Sequence, residues 1–261
     1  MKEKALLESI ARELWGCYSN SDKTIGNISR QHNLDIDDAY AIQMHTVKIA
    51  TESGRKVVGK KIGLTSKAMQ EMFGISTPDY GHLYDHMILN EERPIPMSQT
   101  HMPRVEPELA FILGEDLQGP CLTFIDVMRA TAGIVPCFEV IDSRITNWDI
   151  AVEDSIADNA SAAFVTLGGI MKAPGEINLK NIGLVLEKNG EAVDFSAGAA
   201  VMGHPAASVA WLANKLSEYG VGLKKGEIIL SGSLTKAYNA SAGDVFVASF
   251  DGLGSVKARF A

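Results

Sequence analysis

Cysteine is scarce in this sequence. Cys17, Cys121 and Cys137 are the three in 261 residues, and no two form a CxxC pair. That excludes a zinc ribbon and a disulfide framework, and reduced cytoplasm is the expected setting. Basic residues are in deficit: 24 Lys and Arg against 32 Asp and Glu give a formal charge of −8. A nucleic-acid or anionic-membrane surface is therefore not expected, and an anionic small molecule would need a local cation to receive it. Long apolar runs are also missing. The first segment, MKEKALLESIARELWGC, is interrupted by Glu3, Glu8 and Glu13, so neither a signal peptide nor a membrane span is expected. No internal repeat, low-complexity tract, true GxGxxG or regular strand–helix alternation occurs, which argues against Rossmann and barrel topologies.

What is present is ordinary globular chemistry, 46% hydrophobic and 21% charged. The first segment reads as an amphipathic helix with Leu6, Leu7, Ile10 and Leu14 inward. DIDDAYAIQMHTVKIATESG has acidic residues at its start and Gly54 past its end, a second helix. KVVGKKIGLT reads as a strand, SKAMQEMFG as a short helix from Ser66 to Gly74, and ISTPDYGHL as a turn-rich loop. Strands dominate from Pro103: LAFIL, IVPCFEVID, AAFVTLGG, IGLVLEKNGEAVDF, EIILSGS and DVFVASFDGLGSVKARF, with hairpin turns at Asn189-Gly190 and Asp251-Gly252. TFIDVMRATA and PAASVAWLANKLSEYG are the later helices, the second with Val209, Leu212, Ala213 and Leu216 on one face. The expected class is α+β: a helical N-terminal region, residues 1–75, on a mixed, mostly antiparallel β-rich catalytic core, residues 76–261, as one cooperative unit.

The stretch PRVEPELAFIL carries the chemistry. Glu106 and Glu108 lie two apart in a strand, so both carboxylates leave on one face, and the apolar run behind them draws Glu108 inward. A second strand holds a lone Glu139 between Phe138 and Val140. Unpaired carboxylates there are costly unless neutralised, and one divalent cation would satisfy all three. Oxygen ligands without Cys or His suggest Mg²⁺, or Mn²⁺, rather than zinc. Asp142 and Arg144 read as an ion pair bracing the Glu139 strand, His204 as a structural helix-start histidine, and Trp15, Trp148 and Trp211 as core or subunit contacts.

With GKKIGLTSKA, TPDYGHL, PCFEVIDSRI, DNAS, GHP and SGSL added, the chain over nearly its whole length resembles the fumarylacetoacetate hydrolase superfamily. Within it, the chain is similar to the 2-keto-4-pentenoate (2-hydroxypenta-2,4-dienoate) hydratases of meta-cleavage aromatic degradation. The resemblance implies a β-roll fold, Glu106, Glu108 and Glu139 as metal ligands, and Lys61 and Asp79 as acid–base residues. Ser161 and Leu64 would contact substrate, with His82 and Lys236 as further candidates. It also implies homo-oligomers, and possible association with a sister decarboxylase or hydratase. Lys236 leaves room for a second carboxylate, so 4-oxalocrotonate decarboxylase and 2-oxohept-3-ene-1,7-dioate hydratase are the rival activities. An acylpyruvate hydrolase would need His82 as base, and a non-enzyme alternative is a silent partner subunit of a decarboxylase–hydratase complex.

Overall fold

The computed structural model describes residues 1–18, 20–66, 70 and 76–261. Helices α1 (Lys4–Tyr18), α2 (Ile28–His32) and α3 (Ile36–Glu52) come first. Asp35 caps α3 by accepting the Asp38 amide at 2.8 Å, which fixes where that helix begins. Leu7, Ile10, Ala11 and Leu14 of α1 are buried, close to the expected stripe, although Leu6 is only partly so.

The strands are β1 (Val57–Gly63), β2 (Asp79–Tyr84), β3 (Ile88–Asn90), β4 (Arg104–Leu113), β5 (Thr131–Ile141), β6 (Ala162–Leu167), β7 (Gly183–Lys188), β8 (Glu191–Ala197), β9 (Ile228–Leu230), β10 (Tyr238–Asn239), β11 (Val245–Phe250) and β12 (Gly254–Arg259). Helices α4 (Phe124–Ala130), α5 (Val152–Ala157) and α6 (Pro205–Ser217) are interspersed. The main sheet runs β2-β1-β9-β4-β5-β6-β3, with β10 on β4; a second runs β12-β11-β7-β8. Only β1–β9 and β3–β6 are parallel among the described pairs. The β7–β8 hairpin turns at Asn189-Gly190, both at positive φ, as a two-residue turn between right-twisted strands requires.

Strand alternation sorts the main sheet into two faces. Phe138 and Val140 of β5 join the large core, where Phe138 meets Phe246 of the second sheet edge-on at 6.4 Å. Where β1 and β2 lie, that face packs on α3, with Tyr40 stacked on Tyr80 at 4.7 Å. The opposite face carries a small apolar cluster including Ala110, Val135, Cys137 and Leu230. The residues of chemical interest lie beside it.

One local expectation is revised. TPDYGHL is no loop: residues 79–84 form the edge strand β2, paired with β1. The turn-forming residues are tolerated because an edge strand bonds on one side, and Gly81 is needed there, since a Cβ would collide with the Asn159 carbonyl. β1, inside the 1–75 segment, sits between β2 and β9 in the main sheet, so the strand order crosses the expected boundary at 75. The expected helix SKAMQEMFG lies largely outside the described residues.

Candidate active site

β4 and β5 pair in a register that sets Glu106 directly opposite Glu139, with Glu108 one pleat step further on the same face. One ligand oxygen from each of the three lies within 4.8 Å of the others, the one such acidic group among the described residues. Gly232 donates its amide to Glu108 Oε2 at 2.7 Å, but Glu108 Oε1 and both oxygens of Glu139 lack hydrogen bonds. The nearest compensation is Lys61 Nζ, 3.2 Å from Glu139 Oε1, in ion-pair range but not aligned as a hydrogen bond. Loss of water and then the charge of Glu139 push the Glu106 carboxyl up to about 7. The same two causes, with Glu106 adding to them, hold Glu108 well above the usual carboxylate range. Three converging carboxylates with unused lone pairs fit a hard dication, and the donor set fits Mg²⁺ or Mn²⁺.

Lys60 and Lys61 are adjacent yet diverge, because alternation sends them to opposite faces. Lys60 pairs with Glu227 at 2.8 Å; Lys61 points at the glutamates and donates to the Ala160 carbonyl at 3.1 Å. Burial works against the Lys61 charge, but Glu139, Asp79, Glu106 and Glu108 outweigh it and hold the ammonium above its ordinary pKa. Asp79, opposite Gly63 in the β1–β2 register, reaches the same floor. A Cβ on Gly63 would strike Asp79 Oδ1, so a larger residue there would displace the Asp79 carboxylate. Ser155 donates to Asp79 Oδ2 at 3.1 Å, Oδ1 has no partner, and burial raises the carboxyl despite Lys61 and Ser155.

These groups open into a cavity of about 220 Å³ lined by Lys61, Leu64, Asp79, Arg104, Glu106, Trp148, Ser155, Ser161 and Lys236, among others. Leu64, Trp148, Ala160 and Ser161 on its wall all have positive φ, as do their neighbours Asn147 and Asn159. Backbone held in that region by non-glycine residues costs about 1–3 kcal/mol each and concentrates at functional sites. The Asn159 side chain supports the turn by bonding the amide and carbonyl of His82 at 2.7 and 2.8 Å, an extra strand rung that aims Ala160 at Lys61.

Lys61, Asp79, Glu106, Leu64, Ser161 and Lys236 thus line one cavity, and Glu108 and Glu139 lie beneath it beside Glu106. His82 is not brought there. Its side chain turns to α3, Nδ1 3.0 Å from Gln43 Oε1, and burial followed by the charge of Lys60 lowers its pKa to about 3. The Asp142–Arg144 pair is also corrected. Arg144 Nε donates to Asp158 Oδ1 at 2.7 Å, while Asp142 accepts the His101 and Met102 amides, both at 2.7 Å. His204 caps α6, its Nδ1 accepting the Ala206 amide at 3.1 Å, as expected of a structural histidine. Trp148, expected as a core or subunit contact, lines the cavity; Arg104 and Ser155 were not foreseen. Arg104 was findable, because it precedes Glu106 by two and shares its face.

The family model of the fumarylacetoacetate (FAA) hydrolase C-terminal domain matches residues 67–261. The chain belongs to the fumarylacetoacetate hydrolase family. Within that family it is 39% identical to the 2-hydroxyhexa-2,4-dienoate hydratase of Comamonas testosteroni, covering 100% of this chain and 99% of the relative. It is 41% identical to the 2-hydroxypent-2,4-dienoate hydratase of Pseudomonas putida, covering 84% and 99%. Among solved structures, 4-oxalocrotonate decarboxylase from Pseudomonas putida G7, complexed with magnesium and adipate, superposes with a TM-score of 0.96 at 35% identity, covering 100% and 99%. The expected α+β architecture agrees with that likeness. No helix among the described residues is long and apolar enough to cross a membrane.

Proposed function

We propose that this protein is a metal-dependent hydratase that converts 2-hydroxypenta-2,4-dienoate, or a close homologue, into a 4-hydroxy-2-oxo acid in the degradation of aromatic compounds. The observation that carries the reading is the meeting of Glu106, Glu108 and Glu139 with Lys61 and Asp79 on one sheet face. The hydratase relatives at about 40% identity support the reaction type. Magnesium in the decarboxylase structure supports the choice of ion for the three glutamates. An Mg²⁺ or Mn²⁺ ion held there would supply Lewis-acid polarisation of the C2 carbonyl of a 2-oxo acid.

The chain's own groups handle the protons. In the dienol, O2 gives up its proton and C5 gains one, leaving a 2-oxo-3-enoate; water then adds OH at C4 and H at C3. Asp79, with one carboxyl oxygen unpaired, orients or deprotonates the water. Lys61, kept as an ammonium by its carboxylate neighbours, offsets the anionic site and delivers protons near C2 and C3. Ser161, whose buried Oγ has no partner, and Leu64 contact the substrate. Homo-oligomers, association with a sister enzyme and a cytoplasmic location belong to the same reading.

A second reading, 4-oxalocrotonate decarboxylase or a hydratase of a dicarboxylate, is supported by Lys236, an exposed cation of the cavity lining whose charge suits a distal carboxylate. A substrate panel separates the two. The purified protein is incubated with each dienoate, with Mg²⁺ or with chelator, while dienol absorbance and product mass are followed. Metal-dependent formation of 4-hydroxy-2-oxopentanoate is expected. Equal or faster turnover of a dicarboxylate, or release of CO₂, would replace the first reading.

A further inference from the structure

Arg104 and Trp148 form a unit on the cavity wall. Arg104 lies on β4 one pleat step from Glu106, so its side chain leaves on the face that carries Glu106 and Glu108. Its guanidinium carbon sits 4.2 Å from the centre of the Trp148 ring, and its buried Nε has no hydrogen-bond partner. Trp148 is itself fixed. Its indole N–H donates to the Met102 carbonyl at 2.9 Å, and its backbone lies at φ +56° next to Asn147 at +58°. A left-handed backbone is an outlier for so bulky a residue, and it is retained where it holds the ring beneath the arginine. An arginine seated on an aromatic face is pre-organised, with the in-plane N–H edge open to a carboxylate.

The other cations of the cavity are differently placed. Lys61 is engaged with Glu139 and the Ala160 carbonyl, and Lys236 is exposed. Arg104 lines the same cavity, about 6.8 Å along the strand from Glu106 by the two-residue repeat.

We propose that Arg104, held by Trp148, is the binding residue for the C1 carboxylate of a 2-oxo acid seated at the glutamate cluster. The inference rests on the functional reading above. C1 is bonded directly to C2, so if the C2 oxygen reaches the cluster, the carboxylate lies within a few ångströms of it. An arginine rooted one pleat step away spans that gap. Lys236, the exposed cation of the same lining, is left to meet whatever the substrate carries at its other end.

The test is calorimetric binding to the full-length protein, first of Mg²⁺, then of 2-oxopentanoate and of its neutral amide, 2-oxopentanamide. Neither ligand is a dienol, so no turnover intervenes. In Arg104→Met, Mg²⁺ affinity is expected to stay near wild type while the Kd for 2-oxopentanoate rises roughly ten- to a hundredfold. The amide, lacking the charge, is expected to bind weakly and equally to both proteins. Arg104→Lys, which keeps the charge and is the variant to use if Arg104→Met does not fold, should weaken only the carboxylate, by several-fold. Unchanged 2-oxopentanoate binding in the variants would overturn the proposal, and so would equal loss for acid and amide. Failure of the wild type itself to bind 2-oxopentanoate with Mg²⁺ present would instead overturn the functional reading on which the proposal stands.

Discussion

Two of the buried charge clusters, on either side of the 158–161 turn, are treated in opposite ways. Around Arg144 every bond is made within the chain. The guanidinium donates to Asp158 Oδ1 at 2.7 Å, to the Ala162 and Asp158 carbonyls at 3.0 and 2.6 Å and to the Tyr18 hydroxyl at 2.9 Å, over whose ring it lies. Around Glu108 and Glu139 the opposite holds: three of their four carboxylate oxygens have no hydrogen bond, and Lys61 is the single buried ammonium in contact among the described residues. A closed network shapes the turn; an open one leaves lone pairs that the proposed reading assigns to a cation.

Substitutions should therefore act with opposite sign on the two networks. The largest effect is expected from Glu108→Gln: turnover falls at least a thousandfold, about 4 kcal/mol, and Mg²⁺ affinity falls with it. Yet urea unfolding in chelator should find this variant more stable than wild type by about 1–3 kcal/mol, because a repelling charge has gone. Lys61→Ala comes next, with kcat down about a hundredfold or more while calorimetric Mg²⁺ binding persists. A fully active variant would remove Lys61 from the chemistry. Arg144→Met, on the closed side, should cost about 3 kcal/mol of stability by stranding the Asp158 carboxylate, read as a lower urea midpoint.

The smallest effect concerns His82, whose folded pKa is depressed to about 3 from an ordinary 6.5. Between those values the unfolded chain binds more protons than the folded one. The stabilisation is thus complete above pH 6.5 and lost as pH falls, by about 2 kcal/mol at pH 5. Urea midpoints at pH 7.5 and pH 5 should differ less for His82→Gln than for wild type.

The same contrast marks what could be read from the sequence. The open network was legible because its logic is local. Alternation put Glu106 and Glu108 on one face, and a lone Glu139 in an apolar strand signalled an unmet charge. Helix caps and the Asn189-Gly190 turn were equally local. The closed network was not legible: Arg144 has an acid two residues away and ignores it for Asp158, fourteen residues on, because the turn that joins them exists only once folded. His82 looked close to Asp79 by number, but an odd step along a strand sends it to the other face. TPDYGHL became a strand because β1 offered a partner, a tertiary cause that its Pro, Asp and Gly concealed. Trp148 was invisible for the same reason, since its place in the cavity depends on a left-handed backbone that no residue type announces.

The central claim is that the open network is a cation site facing a 2-oxo acid. Crystals of the full chain grown with Mn²⁺ and 2-oxopentanoate test it directly through the anomalous signal of manganese. The account predicts one peak within coordination distance of Glu106, Glu108 and Glu139, with the ligand's C1 and C2 oxygens beside it. A peak elsewhere, or three carboxylates bound to protein groups with no ion between them, would contradict it.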